Sequence, residues 1–566
     1  MQRLNKLLLT GSLLGLASAP ALAGGPLNLN PADPDGVERW PNGGLDIPFN
    51  PDQGGIPGVM DIGTVTGATG AWEAIPSATN TYSNNGTLPF DVDATNFFPF
   101  VENLFFGTNN SDGLSPIVFD DDGSIFVALF GFSGVLGFAS TDTRDAGGTP
   151  IEAVMFLNGG ATVSGGGTYP DADFIGVTVH EFGHYSGLAH TVVNGENQAL
   201  GDQTGPTPFN TYGDSPVDQV ETMYPFALVG GGQVTPHADD IGIMSFLYPE
   251  PDFFATSATI SGQVLATNGS TPLTGVNVIA RNIANPFVDA VSAISGDRGE
   301  PGAFTINGLT PGAEYTVHID QILQGGFSTP PLALPGPEEF YSGANESNNI
   351  DSPDDPSDAA LVSAAAGGTA SGVDVIFNAP APGDPLQVGE DGFVQLSLPF
   401  TYEICGQGFD SVFVNANGNL TFGSGSTDFT ESSAEFLSGP PRIAALWDDL
   451  SPFNLFTGAQ QGLVTYDVSK NDFTVIFEDV PEFSNTGANS FEITLKKSSD
   501  HVDITYGDLT ALDGLAGISC GGLITSRFEI PEDLSASAPS RINLHNQPAR
   551  WEQFGFGNEN DLANAT

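Results

Sequence analysis

Between residues 116 and 157 the apolar positions come in short runs. Pro116–Phe119, Ile125–Phe130, Val135–Ala139 and Ile151–Leu157 are set off by Gly and Asp turns, a pattern that predicts strands of one twisted sheet. Upstream, Thr66–Thr79 around Trp72 reads as a helix, and a second helical stretch begins near His180. Past residue 250 the helical period disappears. Ile260–Asn282 and Gly302–Ile319 carry β-type runs broken by Asn-Gly and Pro-Gly, which predicts an antiparallel sandwich closed by a strand near Val373–Phe377 after a long Pro330–Asp358 loop. A third series follows the Ala379–Pro385 linker: Leu398–Gly425, Pro441–Pro452, Phe473–Phe483 and Ser490–Leu509, with a further candidate strand in ARWEQFGFG. The fold class is multidomain, an α+β unit with a twisted sheet and one principal helix, then two mainly β domains. The boundaries are 24–250, 257–379 and 385–530, with a tail at 531–566.

The N-terminus changes the picture of where this chain works. Arg3 and Lys6, an apolar Leu7–Leu16 and the small-residue site Ala21-Leu22-Ala23 read as a signal peptide over residues 1–23, cleaved near Ala23. The expected product is a secreted protein, extracellular or periplasmic, with no transmembrane anchor, because the apolar core is too short to span a bilayer. The charge excludes one class of partner. Thirteen Lys plus Arg against 68 acidic residues give a net charge of −55, and such a surface repels nucleic acid. It suits a saline exterior and can recruit calcium, for which Asp33 with Asp35, and Asp120 to Asp122, are candidate ligands.

The chemistry concentrates in HEFGHYSGLAH, His180 to His190. On a helix, His180 and His184 share a face and both imidazoles reach one metal ion, while Glu181 stands beside the open coordination position. Gly187 lets the helix end and the chain turn back to offer His190 as a third nitrogen. Three protein ligands with the fourth position open describe a catalytic zinc, whereas structural zinc is closed by four. A bare HExxH occurs by chance, but here three of the chain's seven histidines fall in one eleven-residue window at ligand spacing.

This stretch resembles the HExxHxxGxxH signature of the metzincin metalloproteases, and TMYP followed by ADDIGI and LY resembles the matrixin branch. Arg39–Asn50 and Thr66–Thr79 resemble the first strand and helix of a matrixin domain. The resemblance implies zinc held by His180, His184 and His190, with Glu181 as general base in the hydrolysis of peptide bonds in protein or peptide substrates. It also implies a methionine turn at Met223 and Tyr224 that floors the metal, and an edge strand, with Val135–Ala139 the candidate, that pairs with extended substrate. The Thr191–Thr222 connection is longer than in matrixins, and no cysteine precedes residue 405, so a cysteine-based latency device is excluded.

The second unit resembles the prealbumin-like, carboxypeptidase regulatory module, and the third the nidogen-like module of adhesive and matrix proteins. These imply extracellular matrix or surface proteins as partners. Cys405 and Cys520, the only cysteines, bracket the third unit and are expected to form a disulfide. Trp447-Asp448-Asp449 reads either as part of a cation site or, more ordinarily, as a buried Trp beside two solvated carboxylates. The competing function is a secreted or surface adhesin on an inactive metzincin scaffold. That reading expects a lost ligand or a lost glutamate, and neither is lost.

Overall fold

The computed structural model describes residues 25–131, 134–200 (backbone alone at 199–200), 215–230, 233–267, 269–298, 300–320, 322, 339–346, 359–378, 380, 382–386, 388–453, 460–483, 486–497, 501–523, 531–535, 548–555, 558 and 560–563. The expected signal peptide, residues 1–23, lies outside them. The chain is multidomain and mostly β, with several sheets and few helices.

The first unit is built on a five-stranded sheet of β1 (Ile47–Pro51), β2 (Tyr82–Asn84), β3 (Pro116–Asp120), β4 (Gly137–Arg144) and β5 (Pro150–Asn158), ordered β2-β1-β3-β5-β4. All pairs are parallel except β4 with β5, which is antiparallel and leaves β4 on the edge. The near-continuous apolar run of β5 follows from burial on both faces. Ala153, Met155 and Leu157 join Ile117 and Phe119 in the core shared with the helices, while Val154 and Phe156 join Val118, Ile125 and Phe126 in a core on the other side.

Three elements differ from expectation, the first being the edge strand, which runs Gly137–Arg144 where Val135–Ala139 is expected. The helix around Trp72 runs Ile62–Glu73, earlier than Thr66–Thr79. Asp61 and Thr64 cap its start reciprocally, and it ends before Pro76, which disfavours helix in the residue ahead of it. Ile125–Phe130 is not a strand but part of the Ser124–Phe130 helix. A short apolar run cannot be assigned by period alone, and here Asp122 and Asp120 accept the N–H groups of Ser124 and Phe126 at the helix start.

The second unit faces a three-stranded sheet of β7 (Asn277–Asn282), β8 (Ala290–Ile294) and β10 (Tyr315–Asp320) against one of β6 (Ala258–Leu265), β9 (Ala303–Leu309), β11 (Thr369–Ser371) and β12 (Val375–Ile376). The expected sandwich is not wholly antiparallel: β11 and β12 run parallel to β6, because the chain returns to the first strand only after a long excursion. This unit braces the first. Asp239 accepts the backbone N–H of Ser292 at 2.6 Å, Arg281 donates to Asn194 at 2.7 Å, and the Arg298 guanidinium lies 3.9 Å over the Phe246 ring.

The third unit has a six-stranded sheet of β13 (Phe393–Ile404), β14 (Gln407–Asn415), β15 (Asn419–Thr421), β16 (Arg442–Trp447), β21 (Gly514–Ser519) and β22 (Ala549–Phe554). Its four-stranded sheet comprises β17 (Leu463–Val468), β18 (Asp472–Glu482), β19 (Thr486–Lys496) and β20 (His501–Tyr506). ARWEQFGFG does supply a strand, β22, which pairs antiparallel with β21. Cys405 and Cys520 are bonded with Cα atoms 5.7 Å apart, closing a loop of sequence separation 115. Replacing both with Ser is expected to destabilise this unit by about 2–4 kcal/mol. Urea unfolding followed through the unit's tryptophan fluorescence should report the loss, and an unmoved midpoint would contradict it. No helix among the described residues is long and apolar enough to cross a membrane.

Candidate metal centre

The helix Phe174–Tyr185 is anchored before it can present anything. Phe174, Val177 and Phe182 enter the core, and the buried Trp72 indole donates to Val179 O at 2.8 Å. The four-residue spacing then places His180 and His184 side by side, ring centroids 4.8 Å apart. Leu188 N–H reaches back to Gly183 O at 2.9 Å, and Gly187 takes φ +92°, so the helix ends in a left-handed turn. The turn is held from outside: Leu27 N–H donates to Gly187 O and Ala189 N–H to Gly25 O. His190 therefore returns to the other two, with ring centroids 5.2 Å from His180 and 4.6 Å from His184.

The ring orientations are fixed chemically. His180 Nδ1 donates to Thr222 O and His184 Nδ1 to Leu188 O, each at 2.7 Å. A carbonyl only accepts, so both protons sit on Nδ1 and both Nε2 atoms present lone pairs. Burial lowers the pKa of His180 to about 4 and of His184 to about 3, and holds that of His190 well below its ordinary value. The ligand atoms of the three rings lie within 4.8 Å of one another, and His184 Nε2 is 3.1 Å from His190 Nε2. Three nitrogen donors gathered in one place, His184 buried and His180 and His190 half-buried, fit a divalent metal ion, and among described His, Cys, Asp and Glu this is the one histidine group that does.

Glu181 adjoins this group. Its side chain is buried, burial raises its pKa well above the ordinary carboxylate range, and Oε2 has no hydrogen-bond partner among the described residues. The other oxygen faces Gly137, the first residue of the edge strand β4, where a Cβ would lie 2.7 Å from Glu181 Oε1. Gly137→Ala should therefore displace this carboxylate and lower any reaction depending on it roughly 100-fold with little loss of stability. Turnover measured beside thermal unfolding checks this, and unchanged turnover would contradict it.

Met223 packs beneath the helix at Gly183, where a Cβ would collide with Met223 Sδ, so the small residue inside the motif is the price of that contact. Tyr224 is buried elsewhere, over Gly195 and in a small cluster with Val192 and Val220. Asp240, on the helix Ala238–Leu247, holds the whole turn: its carboxylate accepts Thr222 N–H at 2.9 Å, Met223 N–H at 3.0 Å and His237 N–H at 2.8 Å. It thus supports His180 through Thr222 O. Neither Gly137 nor Asp240 is signalled by sequence spacing; the ADDIGI string draws the eye to Asp240 only by its helical context.

Four of the calcium candidates make contacts of their own. Asp33 and Asp35 both accept from Arg39 Nη2, at 2.9 and 2.6 Å, and Asp120 and Asp122 cap the Ser124–Phe130 helix. The three-carboxylate groups of the described residues lie instead in the third unit, around Asp449 and around Asp448. Asp448 is buried, not solvated, while Trp447 is buried with Arg442 stacked 3.8 Å over its ring.

Residues 375–550 match the family model described as NIDO related, which covers most of the third unit including β13 to β21. No curated protein matches the chain.

Proposed function

We propose that this chain is an exported zinc endopeptidase of metzincin, matrixin-like character that cleaves peptide bonds within protein or peptide substrates. The observation that carries the reading is the meeting of three imidazoles beside the buried carboxylate of Glu181, one oxygen of which has no hydrogen-bond partner among the described residues. His180, His184 and His190 would hold the zinc, two of them oriented by Thr222 O and Leu188 O. When bound, zinc acidifies water and polarises a carbonyl as a Lewis acid. Glu181 accepts the proton of the attacking water and passes it to the leaving amine. The edge strand β4 offers its backbone to an extended peptide and aligns it past Glu181, whose carboxylate lies against Gly137 at the start of that strand. Met223 and Asp240 act on position alone.

The NIDO-related match supports an added role for the third unit in binding extracellular matrix or surface proteins. An inactive adhesin scaffold fits less well, since all three nitrogens and Glu181 are in place. Incubation of the zinc-loaded chain with a mixed peptide library should yield cuts at internal bonds. Release of terminal residues alone, or no cleavage at all, would overturn the endopeptidase reading.

A further inference from the structure

The Asp448–Asp449 step after Trp447 separates two acidic groups. Asp448 meets Glu482 at the end of β18 and Asp513 just before β21, with one carboxylate oxygen of each within 4.8 Å of the others. Asp448 is only 7% exposed. Its Oδ1 accepts the backbone N–H of Asp449 at 2.9 Å, whereas the buried Oδ2 has no hydrogen-bond partner among the described residues. Burial, then the charges of Asp513, Glu431 and Glu482, push its pKa up to about 7. Glu482 is raised likewise, by burial and then by Asp513. A buried anion facing two more anions, with an oxygen left over, is costly unless a cation neutralises it.

We infer that Asp448, Glu482 and Asp513 bind one calcium ion in the NIDO-related unit. The donor set is all carboxylate oxygen, which suits a hard cation better than zinc, whose sites draw mainly on nitrogen and sulfur. The ligands come from three separate segments, and Asp513 and Glu482 are open enough for waters to complete a six- to eight-oxygen shell. The ion would join the end of β16 and the entry to β21, in one sheet, to the end of β18 in the other. The neighbouring group of Glu390, Asp391 and Asp449 is half-buried, and Asp391 there is held by Asn417 at 2.9 Å, so the inference is confined to the Asp448 side.

Equilibrium dialysis of the full chain against calcium ions, in a zinc-containing buffer, tests this. The parent should bind calcium, and Asp448→Asn and Asp513→Asn should each lose one ion per chain or bind it at least roughly tenfold more weakly. Asp467→Asn, at an exposed carboxylate of β17, should bind as the parent does. Thermal unfolding gives the second readout: calcium should raise the Tm of the parent and not that of Asp448→Asn. Without calcium, Asp448→Asn should be at least as stable as the parent, because one of three like charges is gone. Equal calcium binding by parent and Asp448→Asn, or no binding by the parent, would overturn the site.

Discussion

Glu181→Gln is expected, on the proposed function, to lower peptide hydrolysis roughly 10²- to 10⁴-fold while the protein stays folded and still binds zinc. The amide is nearly isosteric, so the helix Phe174–Tyr185 and its contacts with Trp72 and Met223 are untouched. What is lost is the ability to take a proton. In the parent, one carboxylate oxygen is buried without a partner, and an unpartnered buried oxygen is where an attacking water would deliver its proton. The imidazoles cannot substitute, since two carry their protons on Nδ1 toward backbone carbonyls. Turnover of a quenched peptide, measured beside zinc content and circular dichroism, checks the prediction. A folded, zinc-loaded Glu181→Gln protein with parental turnover would remove Glu181 from the reaction.

Asp240→Ala is expected to be the most damaging substitution outside the histidines. It leaves the N–H groups of Thr222, Met223 and His237 without their acceptor. Each buried orphan of this kind costs about 1–3 kcal/mol. The Thr222 carbonyl that orients His180 loses its support at the same time, and partners of this type are worth roughly 10- to 100-fold in metal affinity. Asp240→Asn, which keeps one carboxamide oxygen, should recover part of both losses. Urea unfolding and competition for zinc with a chelating dye measure the two effects separately. Parental zinc affinity in a folded Asp240→Ala protein would break the proposed link from Asp240 to His180.

The parts of this account that could be read from sequence are local ones. The spacing of His180, His184 and His190 carries most of its own geometry, because a four-residue step pairs two rings and a glycine at positive φ turns the chain back toward them. The contacts that tune the group are not local. Gly137 meets Glu181 from the edge strand against which the helix packs, and Asp240 reaches Thr222 from a later helix, so neither contact can be read from the spacing of a short window. Ile125–Phe130 misleads because a six-residue apolar run satisfies a strand and a buried helix equally, and carboxylate capping by Asp120 and Asp122 decides for helix. Asp448 misleads in the other direction. Adjacent acids suggest a solvated turn, and only the folding of Glu482 and Asp513 against it shows a buried charge.

Hydrolysis of casein by the purified chain, followed before chelation, after phenanthroline and after zinc is restored, tests the central claim most directly. The three imidazoles predict about one zinc per chain, cleavage that stops as the metal leaves and cleavage that returns with it. Cleavage that continues in metal-free protein, or a fully zinc-loaded chain that never cuts, would contradict the account.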